Sequence, residues 1–215
     1  MSSSAKPRRN AGLALFETWN RKLHFYLGLY FLFFLWLFSL TGLMLNHGQW
    51  RVSLAANARV ESRFDRDIEV PTGSTVLEQA RDIMRQLGLE GEIDVGAQQP
   101  GSLQFNTSRP SDANQVRVNL AQRRASVQHF ENGHLSRFRI LHTFSGSRYN
   151  QPASQRDWAV TTVWVFAMDA LAAGLIVMIV GGYYMWWRLK PDRRLGLLVL
   201  AAGVLTCGWL VSGVF

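Results

Sequence analysis

Three long apolar runs constrain the fold of this chain more than any other feature. Residues 25–45 and 195–215 each hold 21 positions without a charged side chain, and residues 158–187 carry a single acid, Asp169, in 30 positions. A helix of about 20 apolar residues is long enough to cross the hydrocarbon core of a bilayer. The sequence therefore predicts three transmembrane helices, with lipid as one partner of the chain.

The net charge of +8 is distributed as in a membrane protein. Because basic residues concentrate in cytoplasmic loops, their positions predict a cytoplasmic N-terminus and a loop 47–157 on the outer side. We expect a bacterial inner (cytoplasmic) membrane protein with its main loop and C-terminus in the periplasm, and no nucleic-acid partner. Nine basic residues flank the membrane runs on this side, before the first run or after the second: Lys6, Arg8, Arg9, Arg21, Lys22, Arg188, Lys190, Arg193 and Arg194.

Six segments follow from these runs and their flanks. They are a cytoplasmic tail (1–22), transmembrane helix 1 (23–46), an extracytoplasmic domain (47–157), a long helix containing span 2 (158–187), a cytoplasmic loop (188–194) and transmembrane helix 3 (195–215). A helix of 30 residues is roughly 45 Å long, which exceeds the thickness of the hydrocarbon core. Its first turns are therefore expected to project outward, which places Asp169 near the outer interface, at the depth of Asn46 and His47.

The extracytoplasmic loop carries the signals of a small α+β domain. Thr75 and Glu78 form a capping-box pattern, apolar residues then recur at helical spacing, and Gly88 is a helix-stop signal. Strand patterns follow at 92–95, 103–106, 116–120 and 125–130. The predicted fold class is thus an α-helical membrane protein with one helix on a small antiparallel sheet between spans 1 and 2.

Three membrane motifs resemble those of the PepSY-associated transmembrane proteins. The first is WNRKLHFYLGLYFLFFLWLFSLTGLMLNH (19–47), with Leu-His near its start and Thr-Gly and Leu-Asn-His near its end. The second is RILHTFSG (139–146), and the third is GLIVMIVGGYYMWWRLKPDRR (174–194). The helix and strands at 75–130 are similar to a single PepSY unit. The likeness is closest to the short, three-span members of the family.

The resemblance implies several functions. Larger relatives include haem-containing membrane reductases that pass electrons to ferric siderophores, which implies haem b and electron transfer or ferric and other metal reduction. Related PepSY units are viewed as regulators or inhibitors of peptidases. Three hypotheses follow: a haem-binding electron-transfer or reductase component, a cofactor-free accessory subunit or partner-binding module of a larger membrane complex, and a regulator of a periplasmic peptidase. In each case we expect a protein partner or a homo-oligomer.

His47 and His142 are the candidate axial ligands of haem b. Both are predicted at the outer membrane surface, and neutral imidazole is a common haem and metal ligand. Asn46 and Asp169, at similar depth, are candidates to accept the second ring N–H, a contact that orients a ligand imidazole. In the competing interpretation, His47 is a helix-end residue satisfied by carbonyls or water, and His142 is an interfacial residue. Three aromatic residues are candidate walls of the haem site: Phe144, Trp158 and Trp164.

His24 is a less favoured ligand at the opposite end of the first span. It precedes His47 by 23 residues, which is roughly 35 Å along a helix. No second histidine is predicted at its level, so a haem there would need Met185 or another subunit. We therefore do not expect this chain alone to carry electrons across the membrane.

The remaining reactive residues favour structural roles. His129 and His134 flank the Asn132-Gly133 turn of a predicted exposed hairpin, where surface positions are expected. Cys207 is the one cysteine and lies in the last apolar run, which excludes intrachain disulfides and cysteine-based metal sites. No hydrolase, P-loop or dinucleotide-binding motif occurs. The sequence therefore predicts no catalytic residues and no metal site beyond the iron of a haem.

Overall fold

Three long helices and one antiparallel sheet dominate the part of the chain that the structure describes. The structure is a computed structural model and describes residues 11–56, 59–96, 98–146, 156–189 and 193–213. Its helices are α1 (Ala11–Asn46), α2 (Arg51–Ala56), α3 (Val76–Leu87), α4 (His134–Thr143), α5 (Ala159–Leu189) and α6 (Arg193–Ser212). Its strands are β1 (Arg59–Asp67), β2 (Glu92–Val95), β3 (Ser102–Arg109), β4 (Asp112–Asn119) and β5 (Arg124–Asn132).

Helices α1, α5 and α6 are long and apolar enough to cross a membrane. This confirms the prediction of three candidate spans with a small sheet domain between the first and the second. Helix α1 begins at Ala11, so residues 11–22 of the predicted tail are helical, in keeping with their good helix formers Ala and Leu. Four of the basic residues used to predict topology lie outside the described residues: Lys6, Arg8, Arg9 and Lys190.

The chain forms two compact units. The helix unit comprises residues 11–32 and 169–213 of the described chain, and its helices α1 and α5 approach each other at small residues. A Cβ atom at Gly174 would overlap the ring of Phe31, and one at Gly181 would lie 2.6 Å from the Asn20 side-chain oxygen. The Asn20 amide also donates to the Gly181 carbonyl at 3.1 Å. Glycine at these positions allows the close helix contact that the apolar sequence favours.

The sheet unit comprises residues 33–168 and contains five strands in the order β1-β5-β4-β3-β2. All neighbouring strands are antiparallel. The predicted strands correspond to β2, β3, β4 and β5. Strand β1 was not predicted, because eight of its nine residues are exposed and its frequent charges conceal the apolar alternation that identifies a strand.

Helix α3 has the ends that the sequence predicts. The Thr75 hydroxyl accepts from the Glu78 N–H at 3.2 Å, the Glu78 carboxylate accepts from the Thr75 N–H, and Gly88 ends the helix with φ of 67°. The helix covers one face of the sheet, where Ile83 and Leu87 belong to one apolar cluster with Phe105 and Val116. These four side chains are at most 5% exposed, so the hydrophobic effect holds the helix on the sheet.

The Asn132-Gly133 pair begins a helix, and the predicted hairpin turn at this point is wrong. Strand β5 ends at Asn132, and Gly133 is the N-cap residue of α4. His134 is therefore the first residue of α4. His129 lies within the sheet, where its Nδ1 is 2.7 Å from the side-chain oxygen of Asn114.

A reciprocal pair of carboxylates attaches the sheet to the start of α5. The Glu92 carboxylate accepts from the N–H groups of Asp157 (3.0 Å) and Trp158 (3.2 Å). In return, the Asp157 carboxylate accepts from the Ile93 N–H (3.1 Å) and from Arg81 (2.7 Å). Because the Glu92 carboxylate sits at a helix N-terminus, it also complements the helix dipole. We call this arrangement the carboxylate clamp.

Replacing Asp157 with Ala should weaken the sheet unit. The Ile93 N–H and the Arg81 guanidinium would lose their acceptor, and hydrogen bonds to charged groups are worth about 1.5–3 kcal/mol. We expect the free energy of unfolding of the full chain in detergent to fall by about 2 kcal/mol, measured by chemical denaturation. Asp94→Ala, at an exposed position of the same strand, is the matched control. Equal losses in both variants would contradict the role of the clamp.

The capping box should make stability depend on pH. The Ser74 hydroxyl and the N–H groups of Ser74 and Thr75 donate to Glu78 and hold its pKa below its usual value of 4.5. A native pKa below the unfolded one stabilises the fold above about pH 4.5, and this contribution disappears as pH falls through the native pKa. The difference in melting temperature between wild type and Glu78→Gln should therefore be largest near pH 7 and shrink below pH 4.5. Glu69→Gln, at an exposed position before α3, is the matched control for removing a carboxylate outside the capping box.

Candidate functional site

His142 lies on α4, where its ring contacts the end of α1. Its Nδ1 is 2.8 Å from the hydroxyl oxygen of Thr41, which is 1% exposed. The same hydroxyl donates to the Leu37 carbonyl at 2.7 Å. A hydroxyl has a single hydrogen, so the Thr41 oxygen accepts from Nδ1–H of His142. We therefore assign the tautomer in which Nε2 of His142 is a bare acceptor.

One aromatic ring contacts His142, and a second packs against the first. Phe38 contacts the imidazole edge-on, with 4.9 Å between ring centroids, and the Trp164 ring lies 6.3 Å from that of Phe38. The Trp164 indole donates to the Phe144 carbonyl at 3.1 Å. Phe38, which was not among the candidate walls, is the ring that contacts His142, and Trp164 packs against Phe38. The remaining predicted wall, Trp158, lies before α5 and donates its N–H to Glu92.

The Thr41-Gly42 pair of the first span contacts the His142 ring. Besides the Thr41 bond, the ring Cε1 atom would lie 3.7 Å from a Cβ at Gly42, which is ordinary contact. This pair stands in the motif LTGLMLNH, so its position was visible in the sequence. Its role as hydrogen-bond acceptor was not visible, because Thr41 and His142 are 101 residues apart in the chain.

His47 occupies the turn after α1 and has its own set of contacts. Its Nδ1 lies 3.0 Å from the Leu43 carbonyl, and its ring stacks on Trp50 with 4.1 Å between centroids. Since a carbonyl only accepts, Nδ1 carries the hydrogen and Nε2 is again the bare nitrogen. The carbonyl contact matches the helix-end interpretation of His47, and the tautomer is equally that of a ligand imidazole.

The structure does not bring His47 and His142 together. The His47 N–H bonds to the Leu43 carbonyl at 3.0 Å, so helical geometry continues to residue 47. Nine residues separate Phe38, which contacts His142, from His47, and at 3.6 residues per turn they lie on opposite sides of the helix. Two axial ligands must reach one iron from the two faces of the macrocycle. The pair therefore does not fit a single haem within one chain, although each ring separately has the form of an axial ligand.

Asn46 and Asp169 are not the acceptors of the ring N–H groups. Both residues are exposed, Asn46 in the sheet unit and Asp169 in the helix unit. The Thr41 hydroxyl and the Leu43 carbonyl take the acceptor role instead. A backbone carbonyl gives no sequence signal, which explains why this contact could not be predicted.

His24 is in the helix unit and faces Gly182 of α5. Its Nδ1 is buried and has no hydrogen-bond partner within the described ranges, and a Cβ at Gly182 would lie 3.5 Å from the His24 ring. Met185, the predicted alternative ligand, is half-buried on the same helix α5. Within the described residues, no group of three His, Cys, Asp or Glu side chains is arranged to hold a metal ion.

Comparison of the chain with protein-family models, with curated proteins and with solved structures finds no match. The resemblance to PepSY-associated proteins therefore stays a prediction from the membrane motifs. The function has to be argued from the histidine sites themselves.

Proposed function

We propose that the chain is a haem b-binding component of an electron-transfer or metal-reducing assembly in the bacterial inner membrane, with the sheet unit on the periplasmic side. The observation that carries the proposal is the contact between Thr41 and His142. An acceptor behind Nδ1–H fixes the ring orientation and leaves Nε2 as the ligand atom, the arrangement typical of metal-binding histidines.

The surroundings of His142 suit an apolar macrocycle. Phe38 places aromatic surface beside the imidazole, and Trp164 extends that surface by packing against Phe38; non-covalent haem requires an apolar slot together with its ligand. When bound, a haem would supply one-electron chemistry. The protein's own contribution is to hold the imidazole, through Thr41, in the tautomer that binds iron.

His47 would not serve as a second ligand to a haem held by His142 of the same chain. His47 is directed to a different side of α1, so it is available to a group held by another subunit or another copy. This arrangement favours a component of an assembly over a self-sufficient reductase. It agrees with the sequence-based expectation that the chain alone does not carry electrons across the membrane.

The visible spectrum of the purified protein tests the proposal. Full-length protein from haem-replete cells should show a Soret band that shifts on reduction with dithionite. His142→Ala should abolish or shift this band, because it removes the ligand nitrogen. His129→Ala is the matched control, since His129 also has its Nδ1 bonded to a side chain but lies within the sheet.

The substitution Thr41→Val distinguishes two roles of Thr41: orienting the His142 ring by a hydrogen bond, or only packing against it. Valine has the shape of threonine without the hydroxyl, so the ring should stay in place and lose its N–H acceptor. We expect bound haem with a changed midpoint potential, because the ligand nitrogen becomes a poorer donor. A colourless wild-type preparation, or a band unaffected by His142→Ala, would overturn the haem proposal.

A cofactor-free accessory subunit is the second candidate, and the surface of α6 favours it. None of the described α6 residues is buried, and Leu205 is 72% exposed. Such a span is available for docking to a partner helix within the membrane. A photo-crosslinking side chain at Leu205 should then give one discrete protein adduct in native membranes, whereas the same group at Phe33 of α1, 79% exposed, should give none. Lipid adducts alone at Leu205 would contradict docking through α6.

A further inference from the structure

The sheet has one closed edge and one open edge. At the β2 edge, the Ile93 N–H donates to the carboxylate of Asp157 at 3.1 Å, so the clamp occupies that side. At the β1 edge, strand β5 is the only strand that pairs with β1 among the described residues. Alternate residues of an edge strand direct their N–H and C=O groups outward, where they can pair with another strand. Strand β1 is nine residues long, which is long enough to pair.

The sequence of β1 is complementary to itself when read in the antiparallel direction. If Ser62 of one copy lies opposite Ser62 of a second copy, every charge from Arg59 to Asp65 meets an opposite charge and the apolar residues meet each other. Opposite charges and apolar pairs directly across two strands stabilise a sheet. The pairs between the copies are Arg59 with Asp65, Val60 with Phe64, Glu61 with Arg63, and Ser62 with Ser62, each of the first three occurring twice.

No other register of comparable length has this property. A two-fold axis perpendicular to the sheet has to pass through a residue, because directly opposite side chains share one face of the sheet. Moving the centre to Glu61 or Arg63 places that residue opposite its own like charge. Centring on Phe64 sets Glu61 against Asp67, and centring on Asp65 sets two aspartates face to face. Like charges directly opposite are destabilising, so the charge pattern selects the register centred on Ser62.

The existing contacts of β1 leave these side chains available. Phe64 belongs to the core side of the sheet and is half-buried, while Val60 is 67% exposed. Asp65 bonds to Arg124 at 3.4 Å in an exposed pair, which is worth little in isolation. The Glu61 carboxylate accepts from Gln128 and remains exposed. Each charge thus has room for a partner on the open side of the strand.

We propose that two copies of this chain associate through β1, in antiparallel register centred on Ser62, and form one continuous ten-stranded sheet. The inference does not depend on a bound cofactor. It turns the open edge, which would otherwise be an aggregation hazard, into a specific contact between subunits. The homo-oligomer expected from the sequence would then be a two-fold dimer of the sheet units.

Cysteine cross-linking tests the register in the full-length chain, with the native thiol removed by Cys207→Ala. Cβ atoms of directly opposite residues in an antiparallel pair lie about 5 Å apart, so Ser62→Cys should cross-link readily in native membranes with a short bifunctional maleimide. Arg66→Cys, on the same face of the same strand, is the matched control. In the proposed register its two copies are roughly 27 Å apart, so it should not cross-link.

A charge exchange tests the complementarity. Glu61→Arg should reduce cross-linking through Ser62→Cys several-fold, because two arginines then face each other at two places. Adding Arg63→Glu restores opposite charges and should restore cross-linking. All three positions are exposed, so melting temperatures should stay close to that of the parent and show that the domain is folded.

Three results would overturn the proposal. One is a wild-type chain that is monomeric both in detergent and in proteoliposomes, together with a Ser62→Cys variant that gives no cross-linked product. Another is an Arg66→Cys product formed as fast as that of Ser62→Cys. The third is a folded double variant whose cross-linking stays at the level of Glu61→Arg. A wild-type chain that dimerises but shows no Soret band would overturn haem binding and leave the dimer proposal intact.

Discussion

The exchange of hydrogen bonds between Glu92 and Asp157 is the interaction on which the sheet unit depends most. Each carboxylate is nearly buried and each accepts backbone N–H groups of the other's segment. A buried carboxylate is costly unless such donors satisfy it. Here the donors are the first N–H groups before α5 and the edge N–H of β2, which themselves need acceptors. One contact therefore closes a sheet edge, caps a long apolar helix and joins the sheet to the start of that helix.

The chemistry of His142 follows from this attachment. Helix α4 and the start of α5 lie in the same unit as the end of α1, and the imidazole is positioned where they meet. Its partners are a hydroxyl that already donates to Leu37 and the ring of Phe38. The tautomer of the ring is consequently a property of the fold. His47 has the same tautomer for a different reason, a carbonyl one helical turn earlier. The Nε2 atoms of His47 and His142 lie on opposite sides of α1. This arrangement favours sites shared between subunits over one site within a single chain.

Sequence patterns predicted well those elements whose signal is local. The capping box at Thr75, the stop at Gly88 and the alternation of β4 were correct, because each depends on neighbours within a few residues. The patterns failed at β1 and α4. Strand β1 has five charged residues on one face and Arg66 on the other, and nearly all of it is exposed, so hydrophobic periodicity is absent. Helix α4 begins at an Asn-Gly pair, which in isolation favours a turn, and only its packing beside α1 and α2 makes helix the preferred state there. Both failures are cases in which tertiary contacts override a local preference.

By itself, the sequence determined the number of candidate spans and the place of the sheet domain between them, and it suggested histidines as candidate ligands. It also contains the self-complementary charges of β1, although nothing in it marks that segment as an edge strand. The tertiary structure alone decided which atoms each imidazole meets. Thr41 and His142 are brought together across 101 residues, and the direction of His47 depends on the helical turn that separates it from them. Hydrophobicity and capping act over a few neighbouring residues and can be recognised in sequence. Whether a ring nitrogen carries a hydrogen depends on a single atom about 3 Å away, and only the folded chain brings that atom into place.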